Sequence, residues 1–347
     1  MARLAIVSYR LGGGDGVAIE SAKWIEALQR LGHEVLTVAG EGRADVLVDG
    51  LALDDDHGPD PRDLDVLEGV DLTIVENVAS LPLNASARDV LYDVLDSRHA
   101  LFHHHDLSWQ RPHLAHLEGP RDAPTWSHVT INELSRRELA ERGIAASTLY
   151  NSFDCDPPPG RRDVARASLG VTGRLALVPT RALARKNIAG ALGLCEALGA
   201  TLWLLGPTED GYEEELANLL ARAKVPVIHR GLDEFSIDDA YGACDVVVVS
   251  STWEGFGNPV LESVTHARPL ALYPYPVARE IRAFGFRFFD LAETSALASF
   301  LESPEESLHA ANLALARRHF NLADLPTRLA GLLAAHGISS PAPPGRQ

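Results

Sequence analysis

The sequence is poor in sulfur. It contains one methionine and three cysteines in 347 residues. Cys155, Cys195 and Cys244 are far apart and odd in number, so they imply neither a disulfide framework nor a zinc knuckle. A reducing cytoplasm is the expected setting. The length allows two domains, and 46% hydrophobic with 23% charged residues is typical of a folded protein.

Basic side chains are also scarce. The 31 Lys and Arg against 48 Asp and Glu give a formal net charge of −17. Nucleic acid is therefore excluded as the main partner, because binding its phosphates requires a basic face. The charge also disfavours broad adhesion to anionic lipid, although a local basic patch is compatible with it. Long apolar runs are missing too, so we expect no transmembrane segment, and the N-terminus reads as a strand (residues 4–9) rather than a signal peptide.

Strand and helix signals alternate along most of the chain, which predicts an α/β fold of two Rossmann-like, doubly wound parallel-sheet domains. The proline-rich run 154–160 predicts the linker between them. We expect domains at 1–155 and 156–322, a C-terminal helix at 323–337 and a disordered tail at 338–347. Ligands of such sheets bind beyond the carboxyl ends of the strands, so a cleft between the two domains is the expected site.

Two carboxylates stand eight positions apart in the segment 254–262, where a loop becomes a helix. Asn258 followed by Pro259 predicts an N-cap and the first helical residue. Glu254 would then lie on the loop and Glu262 one turn into the helix, whose N-terminus favours a phosphate. The alternative is a loop that packs an aromatic ring, with Glu262 offsetting the helix dipole.

Three cations crowd the start of another predicted helix (188–198): Arg181, Arg185 and Lys186. Cations are disfavoured at a helix N-terminus by up to about 1 kcal/mol each, so their presence there suggests an anion between them. A solvated basic loop is the alternative. The glycines of 12–16 would let backbone amides approach a phosphate, but an ordinary tight turn explains them equally well.

Three consecutive histidines occupy the end of a predicted strand, His103, His104 and His105, and Asp106 follows them. Strand alternation puts the first and third on one face and the second on the other. The cluster raises a metal-hydrolase alternative, but no second ligand set with matching spacing appears later in the chain. We predict no metal site and expect one histidine to act as a hydrogen-bonding or orienting group.

Taken together, these motifs resemble the retaining GT-B glycosyltransferases of family 4, in the family's order from about residue 4 to 333. The resemblance implies two Rossmann-like domains facing each other across a cleft, no cofactor and no metal. It implies that Arg181 and Lys186 hold the donor diphosphate, that Glu262 binds the ribose and that Glu254 faces the transferred sugar. His105 is the best match to the family's cleft histidine. The other implied donor-binding residues are Gly14, Gly16, Gly255, Phe256, Gly257 and Asn258.

The resemblance also has departures. The usual Asn-Gly is Asn151-Ser152, the usual Gly-x-Pro-Val is 267–270 with Ala267 first, and the usual glycine-rich loop is replaced by 273–279. That loop lies near the sugar in relatives, so donor identity stays open. The candidate acceptor residues are Glu76, Asn77, His105, Asp106, Trp109 and Arg111.

The resulting hypothesis is a cytoplasmic, metal-independent, retaining hexosyltransferase. It would use a UDP- or GDP-linked sugar and a hydroxyl of a small-molecule or glycan acceptor. A non-catalytic GT-B protein that binds a nucleotide sugar and a sugar-nucleotide epimerase are the alternatives. The donor base, the acceptor and the oligomeric state stay open.

Overall fold

The computed structural model describes residues 1–53, 55, 57–209 and 211–340. The chain divides into two compact domains. The first domain comprises Met1–Ser152 and the residues from Leu322 onward, and the second comprises Phe153–Asn321.

The first domain contains a parallel sheet of seven strands in the order β3-β2-β1-β4-β5-β6-β7. Buried apolar residues fill its central strands, as expected for a sheet covered on both faces. Its strands are β1 (Arg3–Leu11), β2 (Glu34–Gly42), β3 (Val46–Leu47), β4 (Leu72–Glu76), β5 (Ala100–His104), β6 (Trp126–Thr130) and β7 (Ala146–Thr148), and its helices include α1 (Gly16–Arg30), α2 (Ala85–Leu95) and α3 (Glu133–Ala140).

The second domain has a six-stranded parallel sheet in the order β10-β9-β8-β11-β12-β13. The strands are β8 (Leu175–Val178), β9 (Thr201–Leu204), β10 (Val227–His229), β11 (Val246–Val249), β12 (Leu270–Leu272) and β13 (Phe289–Asp290). The helices are α4 (Arg162–Leu169), α5 (Ile188–Leu198), α6 (Glu213–Ala221), α7 (Ile237–Ala243), α8 (Asn258–Thr265), α9 (Pro276–Arg282), α10 (Thr294–Glu302) and α11 (Glu306–His319). Four valines make up β11 and are all at most 2% exposed, which places this strand in the middle of the core.

The predicted fold class of two parallel-sheet α/β domains is confirmed. Several elements were missed. The two-residue strands β3 and β13 are too short to show a pattern. Helix α9 begins inside 273–279, the stretch that replaces the family's glycine-rich loop. In the structure, Pro276 begins α9, where its fixed φ suits a first helical turn. The predicted loop 273–279 therefore shrinks to Tyr273–Tyr275.

The last helix, α12 (Leu325–Ala334), packs against α1 in the first domain. Leu325, Leu329 and Leu333 recur at helical spacing and are at most 2% exposed in the same apolar cluster as Trp24. Ile338 also belongs to this cluster, although the predicted disordered tail begins there. Residues 341–347 of that predicted tail lie outside the described residues. Among the helices that the structure describes, none has the length and apolarity needed to cross a bilayer.

Candidate active site

The candidate site of the second domain is built on the loops that follow β8 and β11, which are neighbours in the sheet. Hydrogen bonds join the two loops. The Ser250 hydroxyl donates to the carbonyl of Lys186 at 2.7 Å, and the Thr252 amide donates to the carbonyl of Arg185 at 2.9 Å. Asn187 turns the chain into α5 with a φ of 49°, and its side chain caps the helix by accepting from the Gly190 amide. The two loops are therefore held together before any ligand binds.

Glu254 lies between two cations. Its Oε1 accepts from Nζ of Lys186, and its Oε2 accepts from Nη1 of Arg185 at 2.8 Å. Arg185 also donates to the carbonyl of Trp253 at 3.0 Å. Glu254 is 8% exposed and Lys186 is 7% exposed. Both carboxylate oxygens are thus engaged, and the anion expected between the cations is supplied in part by the protein itself.

The charges of this cluster are strongly coupled. Burial raises the pKa of Glu254, but the ammonium of Lys186 and the guanidinium of Arg185 outweigh it and lower that pKa to about 2. Burial lowers the pKa of Lys186, with Glu254 opposing and Arg185 adding to the shift. Glu254 is therefore a carboxylate at neutral pH, which makes it unsuitable as a general acid.

Arg181 has a carboxylate partner of its own, separate from Glu254. Its Nη1 donates to Oε2 of Glu209 at 2.6 Å, and both side chains are more than a third exposed. A Cβ added to Gly206 would lie 2.5 Å from the backbone of Arg181, so only glycine allows this approach. An exposed ion pair is weak and readily exchanged. Arg181 can therefore turn to another anion at little cost.

The loop 255–257 ends in Gly257, which is the N-cap of α8, with a φ of 89°. The predicted cap Asn258 is instead the first residue of the helix, and Pro259 the second. A Cβ on Gly257 would stand 2.1 Å from the hydroxyl of Tyr275, which donates to the carbonyl of Phe256 at 2.9 Å. The glycine is required both by its left-handed conformation and by the tyrosine that closes the loop.

Phe256 is compatible with both interpretations of the segment 254–262, a donor-binding loop and a loop that packs an aromatic ring. Its side chain is 3% exposed and stacks on Phe153, with ring centroids 5.8 Å apart, and it meets the edge of Phe320 at 6.2 Å. The aromatic ring belongs to the core. The proposed donor contacts of Gly255, Phe256, Gly257 and Asn258 can therefore come from their backbone amides, and those contacts stay a prediction.

Glu262 occupies the second turn of α8, as expected. The hydroxyl of Tyr241 donates to Oε2 of Glu262 at 2.6 Å. Tyr241 is fully buried, and burial together with the adjacent Glu262 raises its pKa well above the usual value. The tyrosine stays protonated and fixes one carboxylate oxygen. The predicted role of Glu262 toward a ribose diol stays a prediction.

The first domain contains a second buried cluster at the carboxyl ends of β4 and β5. Nδ1 of His103 and Nε2 of His105 lie 2.9 Å and 2.8 Å from the same oxygen of Glu76. His104 points to the other face, where its Nε2 meets Nδ1 of His128 at 2.9 Å. The predicted alternation of the three histidines is confirmed.

Glu76 changes the interpretation of these histidines. It is fully buried. Burial raises its pKa, but the imidazoles of His103 and His105 outweigh this and lower the pKa to about 2. The three ligand atoms all lie within 4.8 Å of one another, so the set could hold a metal ion. The atoms that would bind the ion are already hydrogen bonded to each other, whereas Oε1 of Glu76 and Nε2 of His103 are buried and have no hydrogen-bond partner among the described residues. Two further histidines that follow in the sequence, His113 and His116, are exposed and lie outside this cluster.

The candidate acceptor residues are largely engaged within the first domain. Oδ1 of Asn77 accepts from the amides of His105 and Asp106, each at 3.0 Å, and Asn77 has a φ of 63°. Asp106 pairs with Arg111 at 2.8 Å. Trp109 donates from Nε1 to Glu138 at 2.8 Å. Asn77 therefore shapes the histidine turn, and acceptor binding by these residues stays a prediction.

The glycine loop leads into α1 through Asp15, whose side chain caps the helix by accepting from the amides of Val17 and Ala18. Gly14 and Gly16 are exposed, and a Cβ added to either would meet nothing within 4 Å. Neither the positive-φ region nor close packing requires glycine at these two positions. Their predicted donor contact is untested.

Sequence reasoning missed four partners that complete these clusters. Glu209 and Tyr241 had no motif around them, Tyr275 was read as loop, and Glu76 was considered only for acceptor binding. For Glu76 the sequence did contain a signal: the residue is a carboxylate at the end of a buried strand, and that strand is the neighbour of the one that carries the histidines.

The chain has two parallel-sheet α/β domains, which is the GT-B fold of the glycosyltransferases that it matches in structure. Residues 163–296 match the family described as Glycosyl transferases group 1. The crystal structure of Anabaena HepE in complex with UDP and glucose has a TM-score of 0.74 and 17% identity, covering 96% of this chain and 100% of that chain. This likeness shows the fold.

Two relatives found by sequence similarity have a named enzymatic activity. The chain is 24% identical to the mannosylglucosylglycerate synthases of Thermotoga maritima and Petrotoga mobilis. The first alignment covers 84% of this chain and 85% of the relative, and the second covers 83% and 86%. Together with the family match, these similarities support a glycosyltransferase with the GT-B fold.

Proposed function

We propose that the chain is a retaining, metal-independent hexosyltransferase that uses a nucleotide-diphosphate sugar. The observation that carries the proposal is the cluster of Lys186, Arg185 and Glu254 at the carboxyl edge of the second sheet, beside the N-terminus of α8. Ligands of doubly wound sheets bind at this edge. Its cations and helix amides suit the charge that grows on a departing diphosphate.

The electrostatics favour a donor with a diphosphate. Arg181, Arg185 and Lys186 carry three positive charges, and their protein partners Glu254 and Glu209 carry two negative ones. The exposed pair of Arg181 and Glu209 can open for a phosphate, whereas the pair of Lys186 and Glu254 is buried and stays fixed. A preorganised cation lowers the barrier more than one that must be rearranged during the reaction.

Retention is proposed without a covalent intermediate. Both oxygens of Glu254 are engaged by cations, and a carboxylate stabilised in this way is a poor nucleophile. The acceptor hydroxyl would then attack from the face that the diphosphate leaves, and the diphosphate would help to accept its proton. His105 is proposed as an orienting group of the first domain, with Glu76 fixing its Nε2.

The relatives narrow the substrates. Their name describes a mannose joined to glucosylglycerate, so we propose a small anionic sugar acceptor of that kind and a hexose donor linked to UDP or GDP. A sugar-nucleotide epimerase or a non-catalytic binder are the alternatives. NMR after incubation with each donor, with and without glucosylglycerate, separates the three functions. A transferase would give a new glycosidic linkage with the donor's anomeric configuration, an epimerase would alter the donor sugar, and a non-catalytic binder would change neither.

Two variants test the assignment of the site. Lys186→Ala and Arg181→Ala should each lower kcat by roughly 10²–10³, as expected when one group that stabilises the leaving charge is removed. Arg222→Ala, at an exposed end of α6, removes the same charge from the same domain and should leave kcat unchanged. Because Arg181 is half-exposed, its loss should leave folding intact. Transfer by Lys186→Ala at the wild-type rate would overturn the assignment. Metal independence fails if EDTA abolishes transfer and Mn²⁺ or Mg²⁺ restores it.

A further inference from the structure

A pocket lined by arginines lies at the edge of the second sheet opposite to the candidate active site. Arg174 immediately precedes β8, Asp245 precedes β11 and Arg268 stands just before β12, so all three mark the amino ends of strands. The cavity is about 510 Å³, which is within the usual range for small-molecule sites. The proposed diphosphate site follows the carboxyl ends of the same strands, so the two sites are separate.

The charge of the pocket is opposite to that of the protein. Arg162, Arg166, Arg174 and Arg268 line it, and Asp245 is the one carboxylate among its described lining residues. The whole chain has a net charge of −17. The lining residues therefore carry four positive charges and one negative charge, which leaves the pocket with a surplus of positive charge.

Part of this arginine cluster has a structural role. Arg162 donates to the carbonyls of Gly242, Ala243 and Cys244, each at 3.0 Å, and so caps the end of α7. Arg162 and Arg166 both bond Asp245, which also accepts from the amide of Leu175 at 2.8 Å. Asp245 is thereby saturated by two arginines and an amide. It cannot also neutralise Arg174 and Arg268.

Arg268 is the arginine with unused donors. Its Nη2 reaches the carbonyl of Gly242 at 3.2 Å, while its Nε is buried and has no hydrogen-bond partner among the described residues. A buried donor without a partner costs about 1–3 kcal/mol. Arg174 donates from Nη1 to the carbonyl of Leu198 at 3.1 Å, and its Nη2 lies 3.5 Å from Glu302, which is 72% exposed. These two guanidiniums are available to an incoming anion.

We propose that this pocket binds a small phosphate-bearing molecule through Arg268 and Arg174. Guanidinium groups bind phosphate oxygens through paired, charge-assisted hydrogen bonds. A ligand of this kind would neutralise the surplus charge and accept hydrogen bonds from the guanidinium groups that line the pocket. The site is distinct from the donor site and does not depend on the proposed reaction.

His309 provides a local reporter, because it lines the same pocket. Burial lowers its pKa, and the charge of Arg268 adds to this effect. An anion bound beside Arg268 should raise that pKa. The experiment is an NMR titration of the histidine side chains with inorganic pyrophosphate, in which His309→Gln assigns the signal. Pyrophosphate at the donor site lies at the other edge of the sheet and would leave this signal in place.

We expect the His309 signal to move with a saturable midpoint. In Arg268→Gln the midpoint should rise at least about tenfold, the effect of losing one charge-assisted hydrogen bond. Arg222→Gln should keep the wild-type midpoint, and Arg174→Gln is the second pocket variant if Arg268→Gln fails to fold. A signal that pyrophosphate leaves unmoved, an unchanged midpoint in a folded pocket variant, or an equal response to sulfate at the same ionic strength would each overturn the proposal.

Discussion

Replacing Glu254 by Gln tests whether the buried ion-pair cluster stabilises the second domain. The substitution keeps the shape of the side chain but leaves Lys186 and Arg185 without their shared counter-charge. Breaking a buried pair by removing one partner costs about 3–5 kcal/mol. The lowered pKa gives a comparable value. A fall from 4.5 to about 2 corresponds to about 3 kcal/mol of stability at neutral pH.

The pH dependence follows from the sign of that shift. Because the folded pKa of Glu254 lies below the unfolded one, its contribution is complete above about pH 4.5 and is lost as the pH falls toward 2. The difference in unfolding free energy between wild type and Glu254→Gln should therefore be full at pH 7 and should narrow below pH 4.5. Acid effects shared by both proteins cancel in this difference.

Hydrogen exchange of the β11 amides is the suitable assay, because it reports the opening free energy of the second domain alone. Asp233→Asn is the control in the same domain: Asp233 pairs with Arg230 at 2.9 Å, and the side chains are 56% and 35% exposed. That pair should be worth at most about 1 kcal/mol. If Glu254→Gln costs no more than the control, or if its cost does not change with pH, the ion-pair reasoning is wrong.

Two backbone predictions concern residues with positive φ. Gly257→Ala should destabilise the second domain by roughly 2 kcal/mol or more, since its Cβ would overlap the Tyr275 hydroxyl. Adding Tyr275→Phe to this variant should recover part of the lost stability, which a double-mutant cycle measured by urea unfolding would show. An additive pair would refute the overlap. Ala267→Gly should stabilise by about 0.5–1 kcal/mol, because Ala267 is exposed with a φ of 51°, and an unchanged or lower denaturation midpoint would contradict this.

Periodicity was enough to predict the fold, because the strands are buried on both faces and the helices carry apolar stripes. Periodicity did not predict the elements that are too short to show a repeat or that begin at a proline. The family resemblance indicated a loop at 273–279, yet Pro276 starts a helix and Tyr275 is buried, with its hydroxyl bonded to the carbonyl of Phe256. Proline fixes φ in a way that suits both a loop and a first helical turn, and the packing of Tyr275 decides between them.

The candidate site was predictable by residue type but not by pairing. Arg185, Lys186 and Glu254 were each visible in the sequence, yet the cations and the carboxylate are 68 and 69 positions apart. Nothing local indicates that their charges meet. The same holds for Glu76, which lies 27 and 29 positions before the two histidines that contact it. The order of strands in the sheets brings these distant groups together.

The pairing of Glu254 with Lys186 alters what each residue can contribute to transfer. A lysine without a counter-charge at this depth would lose its proton more easily, because burial lowers its pKa. Glu254 opposes that loss and holds the ammonium in one position. The glutamate can therefore support leaving-group stabilisation without touching the sugar. To contact the sugar, one carboxylate oxygen of Glu254 would have to release its cation or accept a further hydrogen bond. Oε2 is better placed than Oε1 to do so, because its partner Arg185 is partly exposed.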